Sequence, residues 1–361
     1  METKVYTVLG AIDPETLGVT TMHEHVLADI SLLTAQLQGY KQKIPKDSLT
    51  LQGTNLAALR QGMAMFSDDC SLKDDVEYAV KEMEAFRQTG GNTVVDASPI
   101  GMRAPVSQLQ EAARRSGMNL VSCSGIYYAD ARPEEYIGRD EKFMYQLFCR
   151  EMQEGIDGSG VKPGFLKCAV QTVESGGLNR SELDALRAQA RVSAETGISV
   201  HVHTGYALTD EQLGQLVETA VNECGMKPDR LLMLHMDQFL RRGCENSVYI
   251  TQPDTGRNVD TAYLEKLLER GVNVSFDTWG TFVSTLPDDY DRLKGLAALL
   301  KKGYGGQIVC GQDSATKAVG KTAGGYGYGR FYEMLGQLEQ LGLGNEIRRI
   351  AAENPARTLA Y

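Results

Sequence analysis

Histidine is scarce in this chain, with five among 361 residues, and tryptophan occurs once. Proline is thin at ten, and no Pro- or Ser-rich run divides the sequence, which leaves no linker between two domains. Positive charge is not in surplus: 37 Lys and Arg stand against 47 Asp and Glu, a formal net charge of −10. That balance argues against nucleic acid or anionic membrane as a partner, because phosphate binding needs a basic footprint. No uninterrupted apolar stretch approaches the roughly 18 residues that cross a bilayer. No CxxC pair occurs. The seven cysteines (Cys70, Cys123, Cys149, Cys168, Cys224, Cys244, Cys310) are odd in number and scattered, as expected of free thiols in a reducing compartment. The opening "METKVYTVLGAIDPETL" has neither a basic start nor an apolar core, so no signal peptide is expected and a cytoplasmic location is.

What the chain does contain is short apolar or β-branched runs, each leading into a loop. They occupy residues 18–25, 92–98, 119–128, 164–170, 198–204, 231–237, 272–280 and 307–313. Helical patterns lie between them. Val76, Ala79, Val80, Met83 and Phe86 share one face before Gly90–Gly91. "SELDALRAQARVSAETG" opens at Ser181 with Asp184 three residues on and ends at Gly197, and Thr209 with Gln212 reads as a capping box. Strand then helix, eight times, predicts a single (β/α)8 TIM barrel over residues 1–361. Residues 26–75 form one outsized insertion between strands 1 and 2, expected to carry short helices on the upper face.

Barrel active sites form at the C-terminal ends of the strands, and all five histidines fall there. His23 and His25 close strand 1, His201 and His203 strand 5, and His235 strand 6. Alternate strand residues share a face, so His23 and His25 point inward together, close enough to share a cation, while Glu24 points away. Asp313 ends strand 8 with inward parity and can both ligate a metal and accept a proton. Lys167 ends "GFLK" on strand 4 among Phe165, Leu166 and Cys168. A buried ammonium there is costly. It either reaches the barrel mouth, pairs with Asp313, or has reacted with carbon dioxide to become a carboxylate able to bridge two cations.

Taken together, "TVLGAIDPETLGVTTMHEH", "VVDAS", "SGIYY", "GFLKCAV" and the closing "ENPARTLAY" resemble the phosphotriesterase family of the amidohydrolase superfamily, which includes phosphotriesterase-like lactonases. The resemblance runs over nearly the whole chain. It implies two divalent metals, most often zinc: His23, His25 and Asp313 hold the more buried ion, His203 and His235 the more exposed one, and Lys167, as N6-carboxylysine, bridges them. It makes Asp313 the proton acceptor for a bridging hydroxide that attacks a carbonyl carbon or a phosphorus. It also assigns supporting roles to Asp96 and Asp277 and the substrate side to Tyr127, and suggests a homodimer. His201, one layer deeper, reads as a supporting or core residue.

Two departures bear on the substrate. Strand 7 ends in "DTWG" where the acyl-homoserine lactonase branch has Asp-Arg-Tyr-Gly, and "GMRAP" loosens the family's Gly-Arg-Asp. Trp279 is expected to wall the pocket. After strand 8, Lys317, Lys321 and Arg330 stand among glycines and tyrosines, as in the loop of relatives that act on phosphorylated sugar lactones; a solvated loop is the alternative. The expected activity is metal-dependent hydrolysis of a small lactone or carboxylic ester, with a phosphotriesterase or phosphodiesterase as the alternative.

Overall fold

The computed structural model describes residues 3–241, 259–281 and 286–361. It opens with an antiparallel hairpin that the sequence pattern did not suggest, β1 (Val5–Thr7) and β2 (Gly10–Ile12), too short to show an alternation. Eight parallel strands then run in chain order around a barrel: β3 (Thr20–Glu24), β4 (Thr93–Asp96), β5 (Asn119–Gly125), β6 (Phe165–Val170), β7 (Val200–Thr204), β8 (Leu231–Met233), β9 (Asn273–Phe276) and β10 (Ile308–Cys310). They are the eight expected strands with trimmed ends, and the fold is a (β/α)8 barrel. The interior holds Met22, Val95, Val121, Phe165, Leu232, Leu234 and Val309, floored by Val5 and Leu359. A larger apolar layer separates the strands from the helices.

The capping box at Thr209 and Gln212 forms as expected on helix Asp210–Val217. Helix Arg180–Thr196 starts earlier than expected: Asn179, not Ser181, is its cap, accepting from the amides of Ser181 and Glu182. Residues 26–75 wind through short helices (Ser31–Thr34, Gln38–Lys41, Leu56–Arg60), and Ile30, Leu33, Leu37 and Met65 line a cavity that also reaches His25. The described cysteines are free thiols; Cys244 lies outside the described residues. Among the described residues no helix is long and apolar enough to cross a membrane.

The seam between β10 and β3 is closed beyond the strand ends. Asp313 N donates to His23 O at 2.8 Å, and the Glu24 carboxylate accepts from Gln312 N (3.1 Å), Ser314 N (3.0 Å) and the Thr21 hydroxyl. Glu24 points away from His23 and His25, as its parity predicts, and laces the barrel shut instead. Burial pushes its pKa up to about 8, opposed by the bonds from Thr21 and Ser314. The two backbones approach so closely that a Cβ at Gly311 would stand 2.7 Å from His23 N.

Gly125, at the end of β5 with φ +141°, meets an equal constraint: a Cβ there would overlap the Lys167 carbonyl oxygen, which accepts from Ile126 N (3.0 Å) and Gln189 Nε2 (2.8 Å). Gly125→Ala is therefore expected to destabilise the fold by roughly 2–4 kcal/mol. Gly177→Ala, with open space around it, should change stability by less than about 0.5 kcal/mol. Urea unfolding followed by circular dichroism compares the two, and equal midpoints would refute the constraint.

Candidate metal centre and active site

The structure brings His23, His25, Lys167, His203, His235 and Asp313 together at the C-terminal ends of their strands. Asp313 Oδ1 stands 3.4 Å from His23 Nε2 and 3.2 Å from His25 Nε2. Lys167 Nζ is 3.2 Å from His23 Nε2, and His235 Nε2 is 2.7 Å from His203 Nδ1. One ligand atom from each of His23, His235 and Asp313 lies within 4.8 Å of the other two. His23, His25, Lys167 and His235 are buried, whereas His203 is partly exposed and the Asp313 side chain is 27% exposed.

Two of these positions rest on unusual backbone. Leu232 and Leu234 face the barrel interior, so alternation alone would turn His235 outward. A left-handed φ of +60° at His235 brings its ring to the centre instead, and Asp313 has φ +51°. Such conformations in residues with a Cβ cost about 1–3 kcal/mol each and persist where the surroundings over-determine them.

The surroundings do so through hydrogen bonds to the far side of each imidazole. Asp277 Oδ2 is 2.9 Å from His23 Nδ1, and its Oδ1 is 2.9 Å from both His235 Nδ1 and His235 N. One buried carboxylate thus takes the Nδ1–H of two histidines and leaves both Nε2 lone pairs facing the centre. His25 is held likewise: its Nδ1 lies 2.9 Å from Ser98 Oγ, whose hydroxyl donates to Asp96 Oδ1 at 2.7 Å. Behind Asp277, Asp237 accepts from Thr278 N (3.1 Å), the Thr278 hydroxyl (2.6 Å) and Arg292 Nε (2.9 Å), fixing the end of β9. Ser98, Asp237 and Arg292 were not singled out from sequence. Asp237 carried a weak signal, an acidic residue two positions after a strand-end histidine.

The electrostatics follow from burial and neighbours. Burial and the Lys167 charge lower the His23 pKa to about 4, and His203 is also held well below normal, by burial and then by His235. Burial would lower His235 too, but the charge and hydrogen bond of Asp277 raise it. Burial alone would raise Asp277 and Asp313. The adjacent histidines reverse this and keep both carboxyls below the usual range. Burial lowers Lys167 to about 8, and among the described residues no carboxylate lies within ion-pair distance of its Nζ. Lys167 is fully buried and so does not reach the mouth, and Asp313 acts on it only through its charge, without a direct ion pair. The donor set of imidazole nitrogens and a carboxylate suits a zinc-like ion, and an amine without a counter-ion fits that set once it carries a carboxylate.

The remaining expected residues divide. Tyr127 lines the cavity, its hydroxyl 3.1 Å from His203 Nδ1. His201 lies a layer below, stacked on Phe165 at 4.2 Å with Nε2 3.1 Å from Ser199 Oγ. Trp279, expected in the pocket wall, is 1% exposed within the helix-side core and is absent from the cavity lining, because the strand end that precedes it is tucked onto Asp237. The loop cations also fail to reach the cavity. Lys317 Nζ pairs with Asp75 at 2.6 Å; Arg330 pairs with Asp289 (2.7 Å) and Glu333 (3.0 Å). The exposed Lys321 contributes its backbone amide to Glu82 at 2.7 Å. Lys317 and Lys321 are thus docked on helix Val76–Gln88 through its cap Asp75 and its Glu82, while Arg330 is held elsewhere.

The cavity above the cluster measures about 510 Å³. His25, His203 and Asp313 stand on one side, and Ile30, Leu33, Leu37, Met65, Met102, Tyr127, Tyr128 and Tyr206 supply most of the remainder. No Lys or Arg lines it among the described residues.

Asp277→Asn replaces one acceptor by a donor and misaligns one of the two imidazoles. The expected outcome is a loss of metal affinity of about 10–100-fold, read by zinc competition against a chelator with the fold checked by circular dichroism. Unchanged affinity would remove Asp277 from its assigned role.

A profile of the phosphotriesterase family matches residues 3–359. An N-acetyltaurine hydrolase of Xenopus tropicalis is 23% identical over 99% of this chain and 98% of its own, and a phosphotriesterase-related protein of Nematostella vectensis is 26% identical over 98% of each. Among solved structures, a resiniferatoxin-binding protein from Rhodobacter sphaeroides superposes with a TM-score of 0.80 (23% identity; 99% of this chain, 94% of that one). The phosphotriesterase homology protein of Escherichia coli, complexed with phosphate in its active site, gives 0.72 (23% identity; 96% and 100%). The match from residue 3 to residue 359 makes this chain a member of the phosphotriesterase family, and a hydrolase.

Proposed function

We propose that this hydrolase opens a lactone or cleaves a carboxylic ester whose substituents are uncharged and apolar. The observation that carries this reading is the cavity: Asp313, His25 and His203 meet a wall of leucine, isoleucine, methionine and tyrosine, with no cation among the described lining residues. Lys317 and Arg330, which a phosphorylated sugar lactone would need, are engaged by Asp75, Asp289 and Glu333. His23, His25 and Asp313 would hold one divalent ion, zinc first, and His203 and His235 a second. Lys167 would bridge them after its neutral Nζ bonds to the carbon of carbon dioxide and releases a proton. When bound, such ions acidify water and polarise a carbonyl or phosphoryl oxygen.

The chain's own residues supply the rest. Asp277 and Ser98 keep the imidazoles in the tautomers that ligation needs. Asp313, open to the cavity, accepts the proton of the attacking water and returns it to the leaving oxygen. Tyr127 places a hydroxyl beside His203, where the substrate's oxygen would sit. The second reading is a phosphotriesterase: an uncharged triester suits the same apolar walls, and an organophosphorus hydrolase from Deinococcus radiodurans shares the fold at a TM-score of 0.69.

A zinc-loaded screen over lactones with and without a 5-phosphate, carboxylic esters, N-acyl amides and organophosphate triesters separates these. Uncharged lactones or esters are expected to give the highest kcat/KM, and feeble lactone rates beside good triester rates would select the second reading. Asp313→Asn is expected to lower kcat by about 10²–10⁴-fold. Elemental analysis should find about two zinc ions per chain, falling in Lys167→Ala and partly restored by short carboxylates. A single tight ion indifferent to bicarbonate would sink the carboxylated bridge.

A further inference from the structure

Two walls of the cavity come from loops that one buried side chain ties together. Glu182, in the first turn of helix Arg180–Thr196, is fully buried, and both its oxygens serve other elements. Oε1 accepts from Ala129 N at 2.8 Å, one residue beyond Tyr128, and from Gln171 Nε2 at 3.4 Å. Oε2 accepts from Gln171 N at 2.9 Å, the first residue after β6. Arg132 braces the same corner: its Nε donates to Tyr127 O at 3.2 Å and its Nη1 to Ser181 Oγ at 2.7 Å. Tyr127, Tyr128, Gln171 and Thr172 all line the cavity, and both tyrosine rings stand edge-on to His203 with centroids 5.2 Å away.

We propose that Glu182 is a positioning residue of the active site: its carboxylate sets the Tyr127–Tyr128 wall against the Gln171–Thr172 wall and so determines how the substrate's apolar group fits, without touching the substrate. Its kinetic consequence rests on the hydrolase reading above; the clamp itself does not. The role requires a carboxylate, which accepts on both oxygens, whereas a glutamine amide of the same shape turns an NH2 toward one of the two backbone donors. The geometry also makes the clamp sensitive to protonation. Burial raises the Glu182 pKa to about 7, against the bonds from Ala129 and Gln171 and the Arg132 charge. The charged and titratable groups around it are Arg132 and Asp130 from the same loop, Tyr127 and Tyr128, and Cys168 on β6. As pH falls through about 7, one oxygen gains a proton and ceases to accept, and the walls loosen.

The test compares zinc-loaded wild type, Glu182→Gln and Ala129→Pro. The proline variant deletes one N–H and leaves Glu182 in place, and Tyr128 already has the extended backbone (φ −48°, ψ 147°) that a following proline demands. Both variants are expected to raise KM for the best substrate about tenfold, with kcat within about threefold and zinc content unchanged. The wild-type KM should rise as pH drops from 8 to 6, and Glu182→Gln should lose that dependence. A fall in kcat and zinc with KM unchanged, or no effect in either variant, overturns the proposal. Amide hydrogen exchange supplies a readout that needs no substrate. In Glu182→Gln whichever of the Ala129 and Gln171 amides faces the NH2 should exchange more than about tenfold faster than in wild type, and wild-type rates at both refute the clamp. If the wild type hydrolyses nothing on the panel, the functional reading falls while the exchange measurement still decides this one.

Discussion

The carboxylate of Asp277 takes hydrogen bonds from two imidazoles on two different strands, and this sharing sets the geometry of the rest of the centre. His23 arrives from β3 and His235 from the end of β8, and each presents Nε2 inward only because its Nδ1–H is anchored on one oxygen of Asp277. A carboxylate buried so deeply is tolerated because the two histidines hold it ionised and because its strand end is fixed from behind. That support is a chain of buried charge: Asp237 accepts from Thr278 and Arg292, and Arg292 reaches Asp289, which also holds Arg330. Ion pairs of this kind contribute little net stability, yet they leave few alternative arrangements for the groups they bind.

Two strained residues belong to the same logic. His235 and Asp313 both occupy left-handed backbone, and both are ligand candidates. At Asp313 the strain coincides with the barrel seam, where its amide bonds to the His23 carbonyl and Glu24 takes the amides on either side. Closing the barrel and aiming Asp313 into the centre are thus a single structural event. The motif His-Glu-His therefore divides its work: the histidines face the centre, and the glutamate between them locks the closure that places Asp313 opposite them.

Above the centre, the charge distribution separates by role. The acidic residues of helix Val76–Gln88 and its cap draw the basic loop after β10 onto the barrel's flank, through Asp75 on Lys317 and Glu82 on the amides of Lys321 and Thr322. The cavity is left to the apolar side chains of the 26–75 insertion and to three tyrosines. A loop that reads as anion-binding in isolation is satisfied internally once its neighbours are in place.

The eight strands, their order and the gathering of histidines at their C-terminal ends were legible in the sequence, because alternation and strand-end position are local properties that survive any packing. The same locality explains why Glu24 could be assigned to the outer side by parity alone. The β1–β2 hairpin was not legible, since three-residue strands carry too little pattern. What only the tertiary structure decided are relations between distant segments: that Asp277 serves two histidines, that Ser98 and Asp237 stand behind them, and that Trp279 belongs to the core. His235 enters the centre against its strand parity through a left-handed residue, and Lys317 and Arg330 find acids 242 positions upstream and 41 positions upstream, respectively. Such partnerships depend on where the barrel sets each loop in space, which residue type and spacing along the chain do not encode.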